Sequence, residues 1–371
     1  MTHRKEISIA KIEFTEHEIA AATAVLRSGA LRQGEQCAAF EAEYAEYVGA
    51  EHAVTCASGS AALHLPFFCM LGPRDEVIVP SFTFIATASM VALTGAKPVF
   101  CDVDPDSFLL DLGRAEQLVT ERTKMVVPVH LFGNPCSRLD TRMFADRHGL
   151  AVVWDAAQAH SATLDGSDVG AWDDVVAYSF YPSKNMFVGE GGMVCTNDTN
   201  LARRLREARA HGQTGKYYHT SLGFNYRMTD VEAAIGRAQL TRLDSMLDAR
   251  RNAAAILLEG LAGVSGVTPQ QVTPGSSHAW HQFCVTVDPE VTGVTRGVLA
   301  ERLLAMGVST AVHYPRGLHQ QPIFREMYGD VEMPVTDRLA DRILALPVHH
   351  GLTPDDAHYV VACVLRAVSG A

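Results

Sequence analysis

The 371-residue chain is long for a single core, and its 47% apolar content is typical of a globular protein, so we expect a large domain with a smaller one appended. Its 31 basic residues stand against 42 acidic ones, and the resulting net charge of −11 disfavours nonspecific binding to nucleic acid. No apolar run approaches the roughly 18 residues of a membrane span, and the first residues lack the apolar core of a signal peptide. These features predict a cytoplasmic protein without a membrane partner.

The eight cysteines contain no CxxC pair, and several lie in apolar runs such as "VTCAS" and "MVCTN", where a thiol packs as a small hydrophobic group. We therefore expect reduced cysteines in the core. The sixteen histidines form no HExxH pattern, so no metal site is expected.

The chain opens with two predicted helices. The segment "TEHE" fits a capping box from Thr15 to Glu18 at the start of the first helix, which Gly29 ends, and the second covers residues 35–50. Short apolar runs then predict strands over 53–58, 76–81, 97–104, 124–131, 150–157, 174–180 and 192–197. Helix-like stretches separate most of these runs. Buried strands that alternate with helices predict an α/β domain with a mostly parallel sheet, whose ligands bind at the carboxyl ends of the strands.

From about residue 245 the pattern changes to a long helix followed by mixed helices and strands. This change predicts a large domain over residues 1–247, including the N-terminal helices, and a small α+β domain over residues 248–371. The boundary is expected inside or just after the long helix.

Three predicted strand ends carry residues capable of chemistry. The first strand runs into "SGSAA", where the bare amides of Gly59, Ser60 and Ala61 at a helix start could bind an anion, although an ordinary strand-to-helix turn has the same pattern. Asp155 ends the run "VVWD", either as a helix N-cap or as the partner of a protonated ring nitrogen. Lys184 follows another strand end and precedes a glycine-rich stretch, so it is either a surface lysine or an amine nucleophile.

One cofactor suits an anion site, a carboxylate and a lysine at the same sheet edge. Pyridoxal 5'-phosphate (PLP) has a phosphate, a pyridine nitrogen and an aldehyde that bonds to a lysine. The combination therefore predicts a PLP site with Lys184 as the catalytic amine. Phe84, just past another strand end, either stacks on the cofactor ring or packs in the core.

With these residues in place, the sequence resembles the PLP-dependent sugar aminotransferases of the DegT/StrS type. The matching segments run nearly end to end, and they are "SGSAALHL", "DEVIVPSFTFIATA", "VDPDSF", "VVPVHLFG", "DAAQAH", "SFYPSKN", "GEGG", "GFNYRMTDVEAAIGRAQL", "HAWHQF" and "VHYPRGLHQQP". The resemblance implies a fold-type-I homodimer with active sites at the subunit interface. It also implies transfer of an amino group, usually from glutamate, to a keto-sugar that is usually nucleotide-linked.

The resemblance also implies a role for each matching residue. Lys184 corresponds to the Schiff-base lysine and Asp155 to the partner of the ring nitrogen. The other cofactor contacts implied are the phosphate turn at Gly59, Ser60 and Ala61, with Ser179 beside it, the stacking Phe84, Gln158 next to the ring oxygen, and Asn225 reaching the phosphate from the neighbouring subunit. The implied substrate-side residues are His313, Tyr314, His281 and Arg227, of which Arg227 could instead only anchor its loop.

Several alternatives stay open at this point. The acceptor could be a cyclitol ketone, since cyclitols and sugars are both polyhydroxylated rings. In dehydratases on the same scaffold, a histidine typically replaces the lysine, whereas this chain has Lys184. A nicotinamide oxidoreductase would need a glycine fingerprint that the first strand lacks, and a non-catalytic PLP-binding sensor would have no need of the lysine, the carboxylate and the phosphate turn together.

Overall fold

The computed structural model describes residues 5–369. Its helices are α1 (Glu16–Ser28), α2 (Glu35–Val48), α3 (Gly59–Met70), α4 (Ala86–Ala92), α5 (Leu112–Ala115), α6 (Arg138–His148), α7 (Thr199–Arg209), α8 (Asp230–Leu240), α9 (Leu243–Leu261), α10 (Pro289–Thr292), α11 (Arg296–Ala305), α12 (Pro322–Tyr328), α13 (Pro334–Arg342) and α14 (Pro354–Ser369).

The strands are β1 (His52–Cys56), β2 (Glu76–Pro80), β3 (Lys97–Cys101), β4 (Thr123–Val126), β5 (Ala151–Asp155), β6 (Thr163–Leu164), β7 (Ser167–Asp168), β8 (Val175–Ser179), β9 (Gly192–Thr196), β10 (Gln213–Gly215), β11 (Tyr218–His219), β12 (Val267–Pro269), β13 (Ser276–Ser277), β14 (Phe283–Val287) and β15 (Ile343–Leu346).

A seven-stranded sheet in the order β1-β9-β8-β5-β4-β2-β3 forms the centre of the N-terminal part of the chain, and the seven strands predicted from the sequence all belong to it. Six strands run in one direction, and β9 alone is antiparallel to its neighbours β8 and β1. The strands β2, β8 and β9 are buried along their whole length, because apolar helices cover both faces of the sheet. The predicted mostly parallel α/β sheet is confirmed.

The first N-terminal helix has the predicted ends, and α2 begins as predicted but ends at Val48, two residues before the predicted end. The Glu18 carboxylate accepts the backbone N–H of Thr15 at 2.8 Å, which completes the capping box of α1, and Gly29 ends the helix with a φ of 72°. Along α2, the apolar side chains at helical spacing are buried against the sheet and α8; they are Cys37, Phe40, Tyr44 and Val48. This packing brings α2 behind the end of β8.

The C-terminal part is built on an antiparallel sheet in the order β12-β14-β15, whose apolar residues share a buried cluster with α9, α11 and α14. Ile7 from the start of the chain belongs to the same cluster and pairs with Val308. The helix α9 spans the expected boundary between residues 247 and 248, and the division into two domains stays a prediction. Within residues 5–369, no helix combines the length and apolar character needed to cross a membrane.

Candidate active site

The chemistry-capable residues lie at one edge of the large sheet. Because β1, β2, β5 and β8 run in the same direction, their carboxyl ends meet at this edge. Asp155 is the last residue of β5 and Ser179 the last of β8, while Gly59 follows β1 and Phe84 follows β2. The strand directions therefore bring together residues that are widely separated in the sequence.

The turn between β1 and α3 forms a cradle for an anion. Ser58 caps the 12-residue helix α3, and its hydroxyl accepts the N–H of Ala61 at 3.1 Å, so the helix begins directly at the sheet edge and its positive dipole end lies there. A Cβ built on Gly59 would lie 2.5 Å from Ser179 Cβ and 2.7 Å from Ser179 Oγ. The serine hydroxyl can approach the turn this closely only because residue 59 is glycine. The backbone of β9 is equally close, since a Cβ on Gly192 would collide with the Ser58 carbonyl.

Asp155 is a buried carboxylate at the carboxyl end of β5. It is 5% exposed and accepts the Thr87 hydroxyl at 2.8 Å and the Ala157 N–H at 3.1 Å. Burial raises the pKa of Asp155, although both hydrogen bonds and the charge of Lys184 lower it. Among residues 5–369 no lysine or arginine forms an ion pair with this carboxylate, so it can accept a charged donor from a bound molecule.

The side chain of Lys184 is partly buried at the end of the loop that follows β8. Burial lowers the pKa of Lys184 to about 8, and the nearby carboxylate of Asp155 opposes the shift. In the described part of the chain its amine makes no hydrogen bond. The next residues anchor the loop, because Asn185 donates to the Ala279 carbonyl at 2.7 Å and the Phe187 N–H donates to Gln239 Oε1 at 2.9 Å. The loop that carries Lys184 is therefore anchored, and its amine, unpaired among the described residues, is available as a nucleophile at moderate pH.

Gln158 joins the sheet edge to the segment that contains Tyr314. Its Oε1 accepts the Phe132 N–H at 2.6 Å, and its Nε2 donates to the Tyr314 hydroxyl oxygen at 3.1 Å. The rings of Tyr314 and Phe84 lie 6.2 Å apart between centroids. Phe84 is 54% exposed, so it is not a core residue, and its ring can cover a ligand at the sheet edge.

Two predicted substrate-side histidines lie near Lys184. Burial and the positive charge of Lys184 lower the pKa of both His281 and His313. His281 is buried, and its Nδ1 has no hydrogen-bond partner among the described residues. A ring nitrogen in this state is available to a bound polar molecule.

Asn225 and Arg227 lie on the exposed segment before α8 instead of next to Lys184. The guanidinium of Arg227 donates to Asn225 Oδ1 through Nε at 3.1 Å and through a terminal nitrogen at 2.8 Å. Between them, the Tyr226 carbonyl accepts the Ala57 N–H at 2.8 Å, which ties this segment to the residue before Ser58. Both polar side chains thus face outward on the side of the molecule that carries the anion cradle.

Comparison with known proteins agrees with this geometry. The chain matches the DegT/DnrJ/EryC1/StrS aminotransferase family over residues 13–365. It belongs to this family. It is 40% identical over 343 residues to the "Pleiotropic regulatory protein" of Geobacillus stearothermophilus, with 91% of this chain and 90% of the relative covered. It is also 40% identical over 348 residues to the dTDP-3-amino-3,4,6-trideoxy-alpha-D-glucose transaminase of Streptomyces venezuelae, with 93% and 90% covered.

The fold is shared with solved structures of the family. The crystal structure of S. venezuelae DesV in complex with a ketimine intermediate has a TM-score of 0.93 and 38% sequence identity, and 98% of each chain is covered. Further relatives are named for a UDP-linked and a GDP-linked sugar. DegT/DnrJ/EryC1/StrS aminotransferases depend on PLP, so the predicted family, enzyme class and cofactor are confirmed.

The residues present fit PLP. The cradle at Gly59 is bordered by helix amides and by the hydroxyl of Ser179, which suits a phosphate. The buried carboxylate of Asp155 forms no ion pair within residues 5–369, which suits a protonated ring nitrogen, and Lys184 is a nearby amine that could bond to the aldehyde. In the described residues, no group of three or more His, Cys, Asp or Glu side chains could hold a metal ion.

Sequence reasoning missed Thr87, the hydroxyl that fixes the Asp155 carboxylate. Its position within "FIATA", seven residues after the end of β2 and at the start of α4, was the available signal, because the carboxyl ends of β2 and β5 share an edge. The hydrogen-bond partners of His160, which are Tyr44 and Ser179, likewise lie far from it in the sequence and could not be inferred from local pattern.

Proposed function

We propose that this aminotransferase moves an amino group from glutamate to a nucleotide-linked keto-sugar in amino-sugar biosynthesis. The observation that carries the proposal is the arrangement of three groups at one sheet edge. Lys184, whose pKa burial lowers to about 8, lies near enough to the buried carboxylate of Asp155 for the two charges to interact, and the anion cradle at Gly59 borders the same edge. The names of the relatives support a nucleotide sugar as the acceptor.

When bound, PLP supplies an aldehyde that bonds to amines and a ring that accepts the electron pair released at the donor's α-carbon. Asp155 accepts the hydrogen bond of the ring nitrogen and keeps the proton on that atom, because a buried carboxylate without another cation favours a charged donor. Lys184 Nζ takes the proton from the α-carbon of the donor and later returns one to the carbon that receives nitrogen. A pKa of about 8 suits both directions of transfer.

The remaining predicted residues surround these two groups. We place the phosphate of PLP at Gly59, Ser60 and Ala61, with the hydroxyl of Ser179 beside the turn. The exposed ring of Phe84 covers the cofactor ring, and Gln158 lies at the oxygen side. On the substrate side, His313, Tyr314 and His281 face the sugar, and Arg227 binds an anionic group of the substrate.

We further propose a homodimer that shares its active sites. Asn225 and Arg227 are exposed next to the turn that precedes α3, and the large apolar side chains exposed on neighbouring segments include Phe84, Tyr181 and Leu222. In a dimer, Asn225 would reach the phosphate bound by the second copy. The eight cysteines are free thiols, which suits the reducing cytoplasm.

The catalytic role of Lys184 is tested by Lys184→Ala, with Lys124→Ala as the matched control at an exposed lysine of β4. Glutamate-dependent amination should fall by at least about a hundredfold in Lys184→Ala and stay unchanged in the control. Borohydride treatment of the PLP-loaded wild-type protein, followed by peptide mapping, should place the pyridoxyl group on residue 184. A Lys184→Ala variant that turns over at the wild-type rate would refute the proposal.

The acceptor is tested with a panel of keto-sugar nucleotides and cyclitol ketones, scored by glutamate-dependent amination. We expect turnover of at least one nucleotide-linked sugar. Amination of cyclitols alone would replace the sugar with a cyclitol acceptor, and removal of a hydroxyl without gain of nitrogen would indicate a dehydratase. A protein that binds PLP but never converts it to the amine form with any amino acid would be a sensor.

A further inference from the structure

A buried chain of hydrogen bonds lies behind the phosphate cradle, and the proposed mechanism does not use it. The Tyr44 hydroxyl on α2 is 3.1 Å from His160 Nδ1, and His160 Nε2 is 2.8 Å from the carbonyl oxygen of Ser179. Tyr44 is 1% exposed, His160 0% and Ser179 7%. These two hydrogen bonds thus connect α2 to the end of β8 through buried residues.

The position of each proton in this chain follows from its partners. A carbonyl oxygen can only accept a hydrogen bond, so His160 Nε2 carries a proton and donates it to Ser179. Burial lowers the pKa of His160 to about 4, so the imidazole is neutral at physiological pH. Its Nδ1 therefore accepts the Tyr44 hydroxyl, and this pair of bonds selects one tautomer.

The imidazole also fixes the strand end by stacking. Its ring centroid lies 5.2 Å from that of Tyr178 and 5.3 Å from that of Phe180, with interplanar angles of 28° and 25°. Side chains of a strand alternate between its faces, so Ser179 projects to the other side, where its hydroxyl borders Gly59. His160 thus holds the backbone of Ser179, whose hydroxyl borders the cradle at Gly59.

We propose that His160 is a positioning residue that sets the Ser179 hydroxyl against the phosphate of PLP and acts on that phosphate only through Ser179. The proposal rests on the proposed function, in which the cradle at Gly59 and Ser179 binds the cofactor phosphate. It separates His160 from residues that act on the ring or the aldehyde of PLP, such as Asp155 and Lys184.

The test compares the affinity of the apoprotein for PLP and for pyridoxal, which lacks the phosphate. His160→Phe keeps an aromatic ring for stacking but removes both nitrogens. We expect its affinity for PLP to fall about tenfold, the effect of one hydrogen bond at a buried carbonyl, while its affinity for pyridoxal changes less than about twofold. His160→Gln retains an N–H donor at the end of the side chain, and it should recover most of the affinity for PLP.

A double-mutant cycle shows whether His160 acts through Ser179. Ser179→Ala should itself weaken PLP binding, and His160→Phe should add nothing further in that background. Equal losses for PLP and pyridoxal, an unchanged affinity for PLP, or additive losses in the cycle would each overturn the positioning role.

Two further measurements keep the test decisive. If His160→Phe fails to fold, Tyr44→Phe takes its place, because it removes only the hydroxyl that orients the imidazole and should show a smaller loss confined to PLP. A wild-type protein that binds no PLP overturns the proposed function itself. If the wild-type protein binds PLP but the variants keep the wild-type ratio of PLP affinity to pyridoxal affinity, only the role of His160 is overturned.

Discussion

Gly59→Ala is expected to introduce a steric collision between the new methyl group and Ser179 within the anion cradle. The new Cβ would lie 2.5 Å from Ser179 Cβ and 2.7 Å from its Oγ, about 1 Å closer than ordinary contact. The Cα of Ser179 lies only 3.2 Å away, so the collision involves the strand itself and a rotation of the hydroxyl cannot relieve it. Overpacking of this kind costs about 1–3 kcal/mol, which exceeds the gain of up to about 1 kcal/mol from replacing glycine in a helix.

The assay pairs thermal unfolding of the apoprotein with titration by PLP. We expect a lower Tm for Gly59→Ala and a loss of affinity for PLP of about 5- to 150-fold if the full cost falls on the bound state. The matched control is Gly297→Ala near the start of α11, where the new Cβ would meet only Thr295 Oγ1 at 3.8 Å. Adding Ser179→Gly to Gly59→Ala removes the two closest atoms and should recover part of the lost Tm, because the Cα of residue 179 remains. A Gly59→Ala protein as stable as Gly297→Ala, with wild-type affinity for PLP, would refute the reasoning.

Three further predictions follow from the charges and thiols. Burial lowers the pKa of Lys184 from 10.5 to about 8, so between pH 8 and pH 10.5 the unfolded chain binds more protons than the folded protein. The unfolding free energy of the apoprotein, measured by urea titration, should therefore rise over this range by on the order of 3 kcal/mol. The variant Lys184→Met should lack this rise. Asp155→Asn removes the charge that holds the ring proton and should lower kcat by about 10²- to 10³-fold in steady-state assays; a kcat within tenfold of wild type would contradict its role. Burial raises the pKa of the thiols of Cys37, Cys56 and Cys101 to about 12, so Ellman's reagent should react only slowly with the native protein. In denaturant, the reagent should react with all eight thiols. Rapid reaction of every thiol before unfolding would contradict the described packing.

The strands of the large sheet could be predicted because each is a short apolar run between turn residues. Five observed strands, such as Glu76–Pro80 for β2 and Val175–Ser179 for β8, differ from the predicted ranges by at most two residues at either end, whereas β3 ends three residues and β4 five residues before the predicted end. Strands of two or three residues such as β10, with the sequence "QTG", carry no periodicity and could not be found in this way. The reversed direction of β9 follows from its place in the sheet between β8 and β1, and the local sequence of a strand does not specify its neighbours.

The candidate site was predictable where chemistry coincides with a strand end. Asp155 and Ser179 close apolar runs, so their place at the ligand-binding edge follows from the sheet. The bond from Thr87 to Asp155 joins residues 68 positions apart, and it exists only once both strands are in place. Phe84 lies in an apolar stretch that suited a core residue as well as a ligand contact, and its exposure of 54% excludes the core position.

The reversed strand β9 also constrains the order of events during synthesis. In the described structure, β1 pairs only with β9, which lies about 140 residues later in the chain. At a translation rate of about 5–20 residues per second, the nascent β1 waits roughly 7–28 s before its hydrogen-bonding partner exists. The cofactor pocket therefore cannot assemble during translation until the hairpin of β8 and β9, which carries Lys184, has left the ribosome. Binding of PLP is thus expected only after all seven strands of the sheet have been synthesised.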